Sequence, residues 1–175
     1  SGGIGVSTPT LATDGIDLGE ITIDDVRLSC WDFAGQVGHF FFSSVEYVCS
    51  HLIQISLCRH QHEQEIYRYT HQLFLSENGV YLVVFNICQE SDKRKDQVMF
   101  WMESVLHRTR NGMCLLVGTH CGQVNGAVEI VKELFESVQG RYGSRVCGYI
   151  AVDSVDNIGL NQLKAMILKC ARHQV

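Results

Sequence analysis

Three apolar runs of strand length, Val80 to Ile87, Met113 to Thr119 and Arg145 to Val152, are each followed by a longer segment with helical spacing. A strand with one wet face alternates apolar and polar residues, whereas these runs are apolar at nearly every position, as strands covered on both faces are. Strands of that kind alternating with helices make a parallel sheet sandwiched between helical layers, a three-layer α/β fold. The pattern predicts parallel strands near 80–87, 113–119 and 146–152 and helices over about 66–75, 96–109, 127–141 and 160–172. Ahead of them, Gly15 to Asp24 and Val26 to Trp31 alternate apolar and polar positions around Asp24-Asp25. That is the pattern of an antiparallel hairpin, placed near 16–24 and 26–32 at one edge of the sheet.

A length of 175 residues fits one domain with a sizeable core. Fourteen basic and nineteen acidic side chains leave a net charge of −5, which excludes a nucleic-acid surface built on net charge. No apolar stretch approaches the roughly 18 to 20 residues of a membrane span. Eight cysteines are scattered singly without a CxxC pair, several inside apolar runs, which points to a reduced, cytoplasmic protein. The chain opens without Met in a Gly/Ser/Thr stretch and stops in a predicted helix, as a piece of a longer protein would.

Parallel α/β sheets bind ligands at the carboxyl ends of their strands. The loops to inspect are therefore Asp32 to Gln36, Asn86 to Ser91, Thr119 to Asn125 and Asp153 to Gly159. The first belongs to Trp31-Asp32-Phe33-Ala34-Gly35-Gln36. A strand-terminal Asp can hold Mg²⁺ through water, a Gly leaves its N–H open to a phosphate oxygen, and a Gln can orient a water for in-line attack. Taken alone, the same residues also suit an ordinary loop with an Asp at its start. Val117-Gly118-Thr119-His120 and Ile150-Ala151-Val152-Asp153-Ser154 end the next two buried strands, and Thr13-Asp14-Gly15-Ile16-Asp17 opens the hairpin.

The succession TDGIDL, WDFAGQ, IYRYTHQLFLSENGVYLVVFNI, LLVGTH, then VDS followed by GLNQL resembles the Roc domain, the Ras-like GTPase module of Roco proteins, which include leucine-rich-repeat kinases. The resemblance covers residues 12–36 and 65–173. It implies a P-loop-NTPase fold, a guanine-nucleotide switch using GTP/GDP and Mg²⁺, and partners in the same parent chain: leucine-rich repeats before it and a COR domain after it. Carried over by position, Thr13 resembles the switch residue that reaches Mg²⁺, with Thr10 as a rival. Asp32 resembles the Mg²⁺-associated Asp, Gly35 the γ-phosphate contact and Gln36 the catalytic, water-positioning residue. Thr119 and His120 match the start of the guanine motif, and Ser154 lies near the loop that packs on the base. His71 matches a position of the switch-II helix, where a packed helix histidine is the plain alternative.

Three departures from that pattern matter. No GxxxxGK[ST] occurs, so the phosphate-holding loop is absent; SGGIGVST is Gly-rich but lacks Lys and follows no strand. The guanine motif, Thr-His-x-Asp, has Gly122 at its fourth position. Residues 37–64 interrupt the family pattern between Gln36 and Glu65 and hold four of the eight histidines but no Asp or Lys. Their ends, Val and Gln, have codons compatible with intron boundaries, so this block reads as a translated intron, or else as an insertion with Cys49, His51, Cys58, His60 and His62 as metal ligands. On the intron reading it packs poorly and can be deleted without harm. The resemblance also implies a gap in mid-sheet, where the missing strand ahead of the phosphate loop would lie between Asp32's strand and Val80 to Ile87. Two functions compete: a nucleotide switch, and a nucleotide-free pseudo-GTPase scaffold that binds a protein partner.

Overall fold

The structure, a computed structural model, describes residues 16–23, 26–33, 44–47, 51–53, 55–58, 77 and 79–173, with side chains at 77 and from 79 to 172. Eight strands form one sheet: β1 (Ile16–Ile23), β2 (Val26–Phe33), β3 (Ser44–Tyr47), β4 (His51–Ile53), β5 (Ile55–Cys58), β6 (Val80–Asn86), β7 (Met113–Thr119) and β8 (Val146–Ala151). Three helices follow the last three strands: α1 (Ser91–Leu106), α2 (Ala127–Tyr142) and α3 (Leu160–His173). The sheet order is β4-β3-β2-β5-β6-β7-β8, with β1 on the other side of β2.

The side-chain alternation of a strand explains the layers. From β6 and β7, Tyr81, Val83, Phe85, Cys114 and Leu116 point to one face and pack on Val98, Trp101, Met102 and Val105 of α1 and Val131, Leu134 and Val138 of α2. Val80, Leu82, Val84, Leu115 and Val117 point to the other face, onto Leu163, Ile167, Leu168 and Ala171 of α3. This is the three-layer architecture that the uniformly apolar runs predict. At Gly118, near the end of β7, a Cβ would lie 2.5 Å from Val131 Cγ2 and 2.8 Å from Ile87 Cδ1, so only glycine lets α2 seat this closely on the strand end.

The hairpin is antiparallel, running in register from Ile16↔Phe33 to Ile23↔Val26, and β1 is an edge strand as expected. The Asp24-Asp25 turn and the predicted helix 66–75 lie outside the described residues. Helix α1 begins five residues before the predicted 96 and ends three before 109. Apolar periodicity starts late in this helix because its first turn is solvated. Glu90 and Lys93 pair across it at 2.9 Å, and Arg94 Nη1 donates to the carbonyls of Ile87 and Gln89, 2.7 Å each. At the other end the chain leaves the helix to be capped from a distance. Arg145 donates to the Leu106 and Thr109 carbonyls at 2.6 Å and to the Gly112 carbonyl at 3.1 Å, satisfying acceptors that a helix end leaves free.

Of the block 37–64, residues 44–47, 51–53 and 55–58 are among those described. Three strands of this block lie in the sheet, and β5 fills the mid-sheet gap. It runs parallel to β2 (Cys30↔Ile55 to Asp32↔Leu57) and to β6 (Leu57↔Leu82, Cys58↔Val83). β3 pairs antiparallel with the first half of β2, and β4 extends it. The reason is the cost of the alternative: each buried backbone group without a partner costs about 1–3 kcal/mol, and β2 and β6 would otherwise present two rows of them.

Deleting residues 37–64 is accordingly expected to lower the melting temperature by several degrees and to expose the β1–β2 hairpin to protease. Equal melting of the deleted and intact chains would contradict the role given to β5. Gly118→Val is expected to cost about 1–3 kcal/mol in a denaturant titration, through overpacking against α2.

Candidate functional site

Parallel strands β6, β7 and β8 bring three loops together at their carboxyl ends. Strand β7 ends in Thr119, whose side chain is buried. Its hydroxyl donates to the Phe85 carbonyl at 3.1 Å and lies 2.9 Å from His120 Nδ1. With its proton committed to the carbonyl, the hydroxyl oxygen is left to accept from a protonated Nδ1. His120 has φ 65° and ψ 34°, a left-handed conformation uncommon outside glycine, and it turns the chain into the single 3₁₀ turn Cys121–Gln123. The Ile87 N–H donates to the Thr119 carbonyl at 3.2 Å and the Cys121 N–H to the Val152 carbonyl at 3.2 Å, tying this turn to both neighbouring strand ends.

The third loop is organised by Asp153, which is 5% exposed. Its Oδ2 accepts the Gly122 N–H at 3.1 Å and its Oδ1 the Val155 N–H at 3.0 Å. Its own N–H and carbonyl pair with Ile158 at 3.0 and 2.9 Å, closing residues 153–158 into a tight loop. The loop leaves through Gly159, at φ 74°, where a Cβ would sit 2.6 Å from the Ala151 carbonyl oxygen. Burial alone would raise the Asp153 pKa; the N–H groups of Val155, Gly122 and Asp156, with His120 nearby, outweigh it and hold the carboxyl below its ordinary value.

Gly122 faces two carboxylates. A Cβ there would lie 3.1 Å from Asp153 Oδ2 and 3.3 Å from Asp156 Oδ2. Asp153 is committed to backbone N–H groups, whereas Asp156 is on the exposed rim of the loop. Burial first, then the Asp153 charge, raise the Cys121 thiol above its ordinary value.

Of the residues singled out from sequence, Thr119, His120 and Ser154 are brought together here, Ser154 on the exposed part of the loop. Asp32 lies one residue before the end of β2, on a strand that points the same way. Through β5 its backbone is level with Leu82, four residues short of the end of β6. At about 3.3 Å per residue that is a step of roughly 13 Å back along the strands. Thr13, Gly35, Gln36 and His71 lie outside the described residues. Sequence reading missed the roles of Asp153 and Asp156. The signal was present in VDSVDN, where an Asp directly after a buried strand is placed to cap the next loop. Among the described residues no group of three or more His, Cys, Asp or Glu could hold a metal ion. No helix among them is long and apolar enough to cross a membrane.

No protein-family model matches the chain. In sequence it is similar to several Dictyostelium discoideum proteins, three of which follow. One is the probable serine/threonine-protein kinase pats1, 34% identical over 101 residues, or 58% of this chain and 2% of that protein. Another is the probable serine/threonine-protein kinase roco5, 24% identical over 171 residues, or 93% of this chain and 5% of that protein. The third is cyclic GMP-binding protein C, 32% identical over 92 residues, or 53% of this chain and 3% of that protein. The chain thus spans 2 to 5% of the length of these relatives. Among solved structures it is similar to Methanosarcina barkeri Roco2 RocCORdC bound to GDP, with TM-score 0.57 and 18% identity over 90% of this chain and 38% of that one. The chain is Roc-domain-like in sequence, and its α/β fold is that of the Roco2 RocCORdC structure.

Asp153→Asn is expected to lower the melting temperature at neutral pH and to loosen residues 119–123 and 153–158 in hydrogen exchange. A carboxyl depressed in the folded state stabilises above its unfolded pKa and loses that contribution as pH falls through the folded value. The gap between variant and parent should therefore close on acidification below about pH 4, and a gap that widened there would contradict the role given to Asp153.

Proposed function

We propose that this chain carries the base-recognising half of a guanine-nucleotide switch, and that Asp156 supplies the carboxylate that position 122 lacks. The observation that carries this reading is the pairing of two loops through Asp153: Thr119 to Gly122 on one side and Ser154 to Asp156 on the other. Asp156 Oδ2 lies 3.3 Å from where a side chain at 122 would begin, the place from which a carboxylate would accept two donors of the guanine edge. Ser154 packs on the base from the same loop. An Asp at 122 would meet the carboxylates of Asp153 and Asp156, so Gly122→Asp is not expected to sharpen guanine preference.

The phosphate half is different. Thr13, Asp32, Gly35 and Gln36 are the residues that would reach Mg²⁺, the γ-phosphate and the attacking water, with Gln36 catalytic. The chain has no GxxxxGK[ST], and β5, the strand between β2 and β6, continues into Arg59-His60-Gln61-His62 in place of a glycine-rich loop. The residues present fit a base better than a triphosphate, and binding by this chain is expected to be weaker than micromolar. In a parent protein the reading extends to a cytoplasmic Roco architecture with a COR domain after this module, leucine-rich repeats before it and a kinase beyond. The RocCOR relative and the kinase names of the Dictyostelium proteins support the COR and kinase parts.

One observation favours a second reading. A strand without a phosphate loop in mid-sheet suits a nucleotide-free scaffold that kept the fold for protein binding. Titration of fluorescent GTP and ATP analogues against the chain, its Asp156→Asn variant and its Gly122→Asp variant separates the two. The base-recognition reading expects weak binding with several-fold preference for GTP, lost in Asp156→Asn. Absence of any preference in the parent chain would leave the scaffold reading. Submicromolar, Mg²⁺-dependent GTP binding would overturn the account of the phosphate half.

A further inference from the structure

Strand β8 pairs with β7 through an irregular register, Cys114↔Val146 and then Leu115↔Gly148, with Cys147 as the extra residue. A bulge of this kind re-aims side chains at a sheet edge. Here it directs Cys147 and Gly148 in succession toward α3: Cys147 joins the cluster around Leu163 and Ile167, and a Cβ on Gly148 would lie 2.6 Å from Met166 Cε. The atom such a Cβ would meet is the far end of the flexible Met166 side chain, so α3 seats close to the strand here. The result is a Cys147 Sγ to Cys170 Sγ separation of 2.8 Å, against about 2.05 Å for a bonded pair. Cys170 is buried at 5% exposure and Cys147 is half-buried on the outermost strand.

We propose that Cys147 and Cys170 are a modification site, a dithiol that hydroperoxides convert to a reversible disulfide joining β8 to α3. Of the five cysteines whose side chains are described, Cys114 is buried and pushed up to about 12 by that burial, and Cys121 is raised as well. The pair behaves differently. The hydrogen bond from Cys147 lowers the Cys170 thiol against the effect of burial, with Lys169 adding to it, while that contact and burial raise Cys147. Of the two thiols, Cys170 is therefore the easier to deprotonate.

In the first step the Cys170 thiolate attacks one oxygen of hydrogen peroxide. The O–O bond breaks, hydroxide leaves and takes up the thiol's proton as water, and Cys170 becomes a sulfenic acid. In the second, the Cys147 sulfur attacks the Cys170 sulfur, and its proton departs with the hydroxyl as a second water. Two thiols lose two electrons, the peroxide gains two, and one S–S bond forms. An added dithiol reverses the change by exchange. The bond would close a ring around residues 148–169, which contain the loop built on Asp153.

The test is peptide mapping of the whole chain, alkylated under denaturing, non-reducing conditions after exposure to hydrogen peroxide. The expected product is tryptic peptide 146–164 linked to 170–172, with free thiols falling from eight to six and dithiothreitol restoring them. The linked form should melt several degrees above the reduced one. Cys147→Ser and Cys170→Ser should each abolish the link and Cys121→Ser should leave it. Mapping the unmutated chain needs no variant to fold. Recovery of Cys147 and Cys170 as alkylated thiols, as sulfinic or sulfonic acids, or in links to other cysteines would overturn the proposal.

Discussion

Strand β6 has to be covered on both faces and paired on both edges, and the rest of the molecule is arranged around that requirement. Val80 to Phe85 are at most 5% exposed, their side chains divided between the α1/α2 layer and the α3 layer. One edge is taken by β7 along its whole length, from Val80↔Met113 to Asn86↔Thr119. The other is taken by β5, and through β5 the hairpin of β1 and β2 becomes part of the same sheet. Without a strand there, an apolar backbone edge would lie open in the middle of the fold, with its N–H and C=O groups unsatisfied.

The site inherits its geometry from this arrangement. Because β6, β7 and β8 are parallel, their carboxyl ends bring Phe85, Thr119 and Asp153 to one edge, and Thr119 and Asp153 each reach across to a neighbouring element as well as along their own chain. Thr119 bonds to β6, and Asp153 bonds to the turn after β7. Arg145 plays the corresponding part at the opposite end, holding the exit of α1 and the approach to β7. These bonds tie the loops after β7 and β8 to each other. Asp32, on the far side of β5, is set back along the strand direction, so the same constraint does not bring it level with Thr119 and Asp153.

Much of this was legible in the residues. Strands 113–119 and 80–86 and helices 127–142 and 160–173 follow from runs and spacings that burial on known faces imposes. The start of α1 was not, because Ser91 to Arg94 are polar and their helix is held by an ion pair and by Arg94 reaching back to two carbonyls. The three short strands between 44 and 58 were not, because segments of three or four residues carry too little periodicity to show a face. Thr119 and His120 could be picked from LLVGTH. Asp153 and Asp156 could not be ranked above Ser154, since their importance lies in a distance to Gly122, 31 residues away from Asp153.

By itself the sequence determined the class of the fold, the order of its β6-to-α3 half and the edge that carries the site. Those depend on local apolar pattern and on the chirality and pairing rules of parallel sheets, which act wherever the pattern occurs. The tertiary structure alone decided which segment closes the middle of the sheet, which carboxylates face Gly122 and which two of the five described cysteines meet. Each of these is a contact between residues far apart in the chain. Such contacts are set by how strands register and how closely helices seat, and no window of sequence contains both partners.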